Sequence, residues 1–209
     1  MTTSNRHSNP QAAWDALKRG NERFVSGTPA HPRQDIERRE ALAAKQIPFA
    51  ALFGCADSRL SAEIIFDVGL GDLFVVRNAG QVIAETIIGS LEFSVEVLGV
   101  PLILVLGHDE CGAIRATIDA TEGNLKSEGE FIHNLVERIR PTVVAANADG
   151  KFEIDEITEL HVQDTINELL TRSTLIANAV KAGKLAVVGA NYKLTLGEVQ
   201  PIVIVGDIK

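Results

Sequence analysis

Two short segments of the chain carry residue types that could bind a metal ion. One is GCADSR at residues 54–59 and the other is GHDECG at residues 107–112, and together they hold both cysteines of the protein. Cys55, Cys111 and His108 offer two thiolates and one imidazole, a ligand set that suits zinc. Three protein ligands leave the fourth position of a tetrahedral ion open, which is typical of a catalytic zinc rather than a structural one.

Each of these residues also has a simpler interpretation. Free cysteines are often buried as small apolar side chains, so Cys55 and Cys111 could be inert core residues. A thiol redox pair is less favoured because the sequence has no C-x-x-C pattern, and a disulfide is disfavoured in a reducing cytoplasm. Asp57 and Arg59 could form an ordinary ion pair. Beside a metal, the same pair would be a carboxylate held ionised, able to orient bound water or to compete for the ion.

Each segment follows a short apolar run with the composition of a buried strand. FAALF at residues 49–53 precedes the first segment, and LILVL at residues 102–106 precedes the second. Continuous apolar runs of this length are typical of strands buried on both faces of a parallel sheet. Further buried strands are predicted at residues 73–76 and 185–188, and a last strand at residues 201–205.

Segments with helical spacing of apolar residues separate these strands. Short helices are predicted at residues 62–66 and 113–120, and a longer one at residues 84–98. Residues 131–140 predict a helix that stops at Pro141, because proline removes a backbone donor and clashes with the preceding turn. Residues 160–181 predict one long amphipathic helix.

This alternation predicts an α/β fold in a single domain over residues 1–209. We expect a mostly parallel sheet of about four strands plus a C-terminal edge strand, with helices on both faces. Residues 1–45 are predicted to form an N-terminal helical arm, in which Asn9-Pro10 begins one helix and Asp35 caps another. The arm has little core of its own, so we expect it to pack on a partner subunit. Ligands of such sheets bind beyond the carboxyl ends of the strands, where both candidate segments fall.

Composition argues against several classes of partner. The net charge is -8 and no Lys/Arg cluster offsets it, which disfavours nucleic acid. No apolar run approaches the roughly 20 residues needed to span a bilayer, so no membrane partner is expected. The start of the chain is polar and lacks the apolar core of a signal peptide. A cytoplasmic location is therefore expected.

Three motifs, taken together and in order, resemble the β-class carbonic anhydrases. They are C-x-D-x-R at residues 55–59, RNAG at residues 77–80 and GH-x-x-CG at residues 107–112. The similarity extends from GN-x-RF at residues 20–24 to VVG and Tyr192 near the end, so it covers nearly the whole chain. Three ordered motifs at compatible spacing are far more specific than any one of them.

The resemblance implies roles for the candidate residues. It implies zinc bound by Cys55, His108 and Cys111, with Asp57 and Arg59 as the catalytic dyad. It also implies that Asp57 can become the fourth zinc ligand in a closed, inactive form.

The resemblance also implies a substrate site of the plant-like subgroup. Gln46 would bind substrate from the adjacent subunit, and Phe74 and Phe93 would line an apolar cleft. The remaining substrate-binding residues would be Ala79 and Gly112. The other subgroup binds inhibitory bicarbonate in a pocket that contains a tryptophan, but Leu52 occupies that position here, so we do not expect this pocket to function.

The other histidines and the single tryptophan have no role in this scheme. His7, His31 and His133 are expected to face solvent, and Trp14 to anchor the first helix by packing. His161 lies where relatives often carry Asn, which leaves its role open, with a proton relay as a weak alternative.

The expected function is the zinc-dependent reversible hydration of carbon dioxide to bicarbonate and a proton, by a homodimer or higher homo-oligomer. Zinc lowers the pKa of bound water from about 15.7 towards neutrality. Two thiolates donate more charge than imidazoles, so the water should be less acidic than at an all-histidine site and activity should rise above neutral pH. The alternatives are a zinc-binding or thiol-based regulator on the same fold, and a hydrolase of a related substrate such as carbon disulfide. The Asp57–Arg59 pair argues against the regulator, whereas the sequence separates the second alternative poorly.

Overall fold

The computed structural model describes residues 7–209, so the first six residues of the predicted arm lie outside the described part of the chain. Five strands form one sheet, flanked by eight α-helices in this part of the chain. The strands are β1 Ala50–Cys55, β2 Leu73–Asn78, β3 Leu102–His108, β4 Ala186–Lys193 and β5 Glu198–Val205. The helices are α1 Pro10–Val25, α2 Ile36–Leu42, α3 Ala62–Ile65, α4 Glu85–Glu96, α5 Gly112–Thr121, α6 Glu130–Ala148, α7 Ile154–Arg172 and α8 Thr174–Lys181.

The sheet has the predicted architecture. Its strand order is β2-β1-β3-β4-β5. The first four strands in that order are parallel, and β5 runs antiparallel to β4 at the edge. The predicted fold class is therefore confirmed, including the C-terminal edge strand.

Both faces of the sheet are covered by helices. Leu102, Leu104 and Leu106 of β3 belong to one core with buried residues of α1, α3, α5 and α6. Ile103 and Val105 point the other way and belong to a second core with α4, α8 and the C-terminal half of α7. Because successive side chains of a strand alternate between faces, an apolar run without polar interruptions fills both cores at once.

Among the described residues, no helix is long and apolar enough to cross a membrane.

The prediction that residues 73–76 form a strand buried on both faces was wrong. β2 lies at the edge of the sheet, and only Val76 of its six residues is buried. Val75 is 36% exposed. The apolar composition is the same as that of a central strand, but β2 has a hydrogen-bonded neighbour on one side alone. The apolar side chains of β2 are therefore largely exposed or only partly buried at this edge of the sheet.

Two helix boundaries also differ from prediction. The helix predicted to stop at Pro141 continues through it as α6, because buried Val136, Ile139, Val143 and Ala146 form one apolar stripe across the proline. Pro141 itself is exposed, so the carbonyl that it cannot bond lies on the solvent side of the helix.

The single helix predicted at residues 160–181 is two helices, α7 and α8. Ser173 separates them, and its side chain caps α8 by accepting a hydrogen bond from the backbone N–H of Ile176 at 3.2 Å. The Ser173 hydroxyl also donates to Glu92 Oε1 at 2.6 Å, which ties the break to α4. Serine is a strong N-cap residue, and the apolar spacing alone concealed this signal.

The predicted N-terminal arm consists of two different parts. Helix α1 starts after the Asn9 cap, as predicted, and buries Ala13, Trp14 and Leu17 in the core of its own chain. The expectation that Trp14 anchors this helix is confirmed. Helix α2 follows the Asp35 cap and buries none of its residues. Packing of the arm on a partner subunit stays a prediction, and α2 is the part of it that is free to make such a contact.

Candidate metal centre

The two candidate segments meet at one end of the sheet. β1 and β3 are parallel neighbours with Gly54 opposite Leu106, so β1 ends at Cys55 beside the point where β3 ends at His108. Cys111 then lies at the N-terminus of α5. The two sulfurs and an imidazole nitrogen lie within 4.8 Å of one another, and all three residues are buried. Parallel strands thus bring together ligands that are far apart in the sequence.

The proton position on His108 leaves one ring nitrogen free to bind a metal. Nδ1 lies 2.7 Å from the backbone carbonyl oxygen of Asp109. A carbonyl oxygen only accepts hydrogen bonds, so Nδ1 carries a proton, and in the neutral ring Nε2 presents a bare lone pair. Nε2 is buried and has no hydrogen-bond partner among the described residues. A metal ligand would satisfy this atom, and second-shell carbonyls commonly orient ligating imidazoles in this way.

The donor set and its spacing fit zinc. Bonds of about 2.0–2.3 Å to a tetrahedral ion hold the ligand atoms about 3.5–3.8 Å apart, which the observed grouping within 4.8 Å accommodates. The side-chain hydrogen bond with Cys111 lowers the pKa of Cys55. The same hydrogen bond, together with burial, raises the pKa of Cys111. Metal binding requires both cysteines as thiolates, so loading of this site would release thiol protons.

Asp57 lies beside this group and is held by Arg59. Arg59 Nε donates to Asp57 Oδ1 at 2.9 Å, and Arg59 Nη2 donates to Oδ2 at 2.7 Å. The side-chain hydrogen bonds from Arg59 are the main reason that the pKa of Asp57 is well below its usual range. Asp57 Oδ2 also lies 3.9 Å from His108 Nε2. The ionised carboxylate of Asp57, bonded by Arg59 at both oxygens, thus lies beside His108 Nε2, the nitrogen that is available to bind a metal.

Comparison with known proteins decides the family. The family described as carbonic anhydrase matches residues 50–199. The chain is 51% identical over 192 residues to carbonic anhydrase 2 of Mycobacterium tuberculosis, which covers 91% of this chain and 92% of the relative. It is 50% identical over 202 residues to the carbonic anhydrase of Mycolicibacterium smegmatis, covering 97% and 98%.

The chain belongs to the β-carbonic anhydrase family. Among solved structures, a tetrameric β-carbonic anhydrase of Sordaria macrospora shares the fold with a TM-score of 0.72 at 22% identity, covering 87% of this chain and 92% of that chain. The resemblance noted in the sequence is therefore confirmed at the level of the family.

In this family member, Arg77 has a role that the sequence left open. Its Nε donates to the carbonyl oxygen of Cys55 at 2.8 Å, and its Nη2 donates to the carbonyl oxygen of Asp57 at 2.6 Å. Both bonds go to the backbone of the segment that carries one metal ligand and the carboxylate. Arg77 thus fixes the path of the chain through the site, and its place at the end of β2, next to β1, was the available signal.

The predicted substrate residues lie in three places in this carbonic anhydrase chain. Phe74 and Phe93 lie together, with ring centroids 6.2 Å apart, and Phe93 is 43% exposed. Ala79 and Gly112 are exposed next to the metal-ligand segments. Gln46 is exposed before β1, and its side chain makes no hydrogen bond to the described residues. Their roles in binding substrate stay predictions.

The remaining histidines differ in their surroundings. His31 and His133 are exposed, as expected. The expectation for His7 was wrong, because its half-buried ring packs edge-on against Phe49 with centroids 4.7 Å apart. His161 is buried, and its Nε2 lies 2.7 Å from the carbonyl oxygen of Gly80. That contact links α7 to the turn after β2, and nothing in the local sequence indicates it.

Proposed function

We propose that this chain catalyses the reversible hydration of carbon dioxide to bicarbonate and a proton, with zinc held by Cys55, His108 and Cys111. The observation that supports it is a buried group of two sulfurs and one bare imidazole nitrogen next to an arginine-held carboxylate, in a chain of this family. When bound, zinc would supply the Lewis acidity that lets water ionise near neutral pH.

Asp57 is suited to orient the reacting water. Its carboxylate is ionised, so it can only accept hydrogen bonds. With Arg59 donating to both oxygens, the remaining lone pairs of Asp57 would accept the water O–H and direct a lone pair of the water oxygen at carbon dioxide. The same two hydrogen bonds from Arg59 would hold the carboxylate away from the metal. Loss of these bonds would let Asp57 compete for the ion and produce a closed form.

The substrate side of the site would be apolar and shared between subunits. Carbon dioxide carries no charge, so the Phe74–Phe93 pair and the small residues Ala79 and Gly112 would suffice to admit it. Gln46 would donate a hydrogen bond to a substrate oxygen from the neighbouring subunit. The exposed β2 edge and the unburied α2 support a homodimer or higher homo-oligomer.

The deciding experiment measures metal content and carbon dioxide hydration on the same protein. Wild type is expected to bind one zinc per chain and to hydrate carbon dioxide in a stopped-flow assay, with activity rising from pH 6 to pH 9. Cys55→Ser should lose both metal and activity, whereas His133→Ala, a change at an exposed histidine, should retain both. Full activity in Cys55→Ser would refute the ligand assignment. Zinc binding without hydration would identify a regulator instead.

A further inference from the structure

The backbone of Gly80 links the sulfur of a proposed metal ligand, Cys55, to the buried histidine His161. The N–H of Gly80 donates to Cys55 Sγ at 3.4 Å. The carbonyl oxygen of Gly80 accepts from His161 Nε2 at 2.7 Å. His161 is on α7, 81 positions away in the sequence. One residue of the turn thus makes both contacts, and its orientation decides whether the N–H points at the sulfur.

The turn that contains Gly80 is closed and tightly packed. Asn78 spans it with two hydrogen bonds, from its Nδ2 to the carbonyl oxygen of Val82 at 2.8 Å and from the Val82 N–H to its Oδ1 at 3.0 Å. Gly80 has φ +69°, and an added Cβ would lie 2.8 Å from Ala113 Cβ and 2.9 Å from Ile139 Cδ1. Gly80 is buried where α5, α6 and α7 meet, and the hydrogen bond to its carbonyl oxygen is donated by His161 of α7.

The protonation of His161 makes its Nε2 the donor in the hydrogen bond to Gly80. A carbonyl oxygen only accepts, so Nε2 carries the proton. Burial lowers the pKa of His161 and keeps the ring neutral. Nδ1 then has a bare lone pair, and it has no hydrogen-bond partner among the described residues. The ring therefore presents a single N–H, and that N–H is directed at Gly80.

We propose that His161 is a positioning residue for the metal centre: by holding the carbonyl of Gly80, it fixes the backbone of this residue so that the Gly80 N–H stays directed at the sulfur of Cys55. This inference rests on the proposed metal site. A hydrogen bond to a ligating thiolate withdraws electron density from the sulfur and weakens its donation to the ion. The Gly80 N–H would thus leave more Lewis acidity at the open coordination position, and His161 would maintain that effect from outside the ligand shell.

The test compares two substitutions in the cobalt(II)-loaded protein. His161→Leu removes the donor, whereas His161→Gln keeps an N–H at a similar reach. Without the Gly80 N–H the Cys55 sulfur donates more strongly, so His161→Leu should move the thiolate-to-cobalt absorption band to longer wavelength. The more basic sulfur also holds its own proton more tightly, so the metal affinity in competition with a chelator should be lower by about 10–100-fold. His161→Gln should lie close to wild type in both. A folded His161→Leu protein with the wild-type band and affinity would overturn the proposal.

Controls separate positioning from a general disturbance of α7. Thr158→Val changes a buried polar residue of the same helix whose hydroxyl bonds only to the carbonyl oxygen of Ile154, and it should leave the band in place. A shift as large as that of His161→Leu would overturn the proposal. If His161→Leu does not fold, cadmium-113 NMR decides. Coupling between the Gly80 amide proton and the ion is expected in wild type and in His161→Gln, and its absence from either would also overturn the proposal.

The same measurements distinguish this inference from the proposed reaction. A wild-type protein with the thiolate-to-cobalt band but no hydration of carbon dioxide by its zinc form would contradict the reaction, and the shift in His161→Leu would still support the positioning role. A wild-type protein with no such band would contradict the metal site, and the positioning role with it.

Discussion

Asp57 and Asp67 both pair with arginine, but the two ion pairs have different roles. Asp57 is held by Arg59 at the metal centre, where half of the arginine side chain is exposed. Asp67 is almost fully buried and accepts the backbone N–H groups of Ala30 and His31, each at 2.9 Å, as well as Arg23. The first carboxylate is free to meet a ligand, whereas the second closes a fold contact between α1, the following segment and the chain after α3.

Alanine substitutions should separate these two roles. Asp57→Ala should lower the hydration rate by about 10²–10⁴-fold, because the water loses its acceptor, with little change in melting temperature. Asp67→Ala should lower the free energy of unfolding by about 2–4 kcal/mol, because it leaves buried donors unpaired, while the folded fraction keeps its activity. Stopped-flow rates per bound metal and urea unfolding measure the two effects. Equal loss of activity per folded molecule in both variants would contradict the assignment.

Asp67 also predicts a response of stability to acid. Burial raises the pKa of Asp67, but the hydrogen bonds from Ala30, Arg23 and His31 outweigh it, and the net pKa is below the usual value. A depressed carboxyl pKa contributes stability that is complete above the unfolded value of about 3.9 and is lost as pH falls through the folded value. The difference in unfolding free energy between wild type and Asp67→Asn should therefore be constant from pH 8 to 5 and shrink below about pH 4. A difference that grew on acidification would contradict this sign.

At the scale of elements, two helix glycines differ in what surrounds them. A Cβ at Gly20 in α1 would lie 1.7 Å from the backbone oxygen of Phe66, so this helix approaches the chain after α3 at glycine contact distance. Asn21, the next residue, donates to the carbonyl oxygens of Ile65 and Gly197. A Cβ at Gly89 in α4 would meet nothing within 4 Å. The GN-x-RF motif thus belongs to the docking of α1.

Alanine at these two glycines should change stability in opposite directions. Gly20→Ala should lower the free energy of unfolding by about 3 kcal/mol, because backbone has to shift to admit the methyl group. Gly89→Ala should raise it by about 0.5–1 kcal/mol, because alanine has the higher helix propensity and space is available. Urea denaturation of the metal-loaded proteins measures both. Destabilisation by Gly89→Ala would show that this face of α4 is covered in the assembled protein.

For the whole molecule, the position of Gln46 raises the question of which subunit it serves. Gln46 is exposed in its own chain, and it follows α2, which buries nothing. If Gln46 acts on the site of the neighbouring subunit, a subunit without Gln46 damages its partner's site, whereas a subunit without a metal ligand damages its own. A dimer of one subunit of each kind should then keep one complete site.

Mixed subunits test this arrangement. Gln46→Ala and Cys55→Ser subunits, reassorted at equal amounts, should recover about a quarter of wild-type activity, because half of the dimers hold one complete site of two. Asp57→Ala mixed with Cys55→Ser is the matched control and should recover none, since both lesions lie in the chain that carries the site. Activity no higher than that of the separate variants would place Gln46 in its own subunit's site or outside any site.

The convergence of the metal group could be predicted because its signals are local. Cys55 and His108 each end an apolar strand run, and parallel strands in one sheet end on the same side. Continuity of α6 through Pro141 and the break at Ser173 were missed for a different reason. At each position a local preference competes with packing. In α6, burial of the apolar stripe outweighs the tendency of Pro141 to end the helix. At Ser173, the N-cap and its hydrogen bond to Glu92 end the helix although the apolar spacing continues.

The sequence by itself determined the α/β class, the ligand types and the family, because composition, periodicity and motif order are properties of neighbouring residues. Only the tertiary structure decided that β2 is an edge, that Arg77 fixes the Cys55–Asp57 backbone, and that His161 reaches Gly80. These contacts join residues whose separation in the chain carries no pattern, and their geometry is set by how helices pack across the sheet. The physical reason is that periodicity reports which face of an element is apolar, but not which element will cover it.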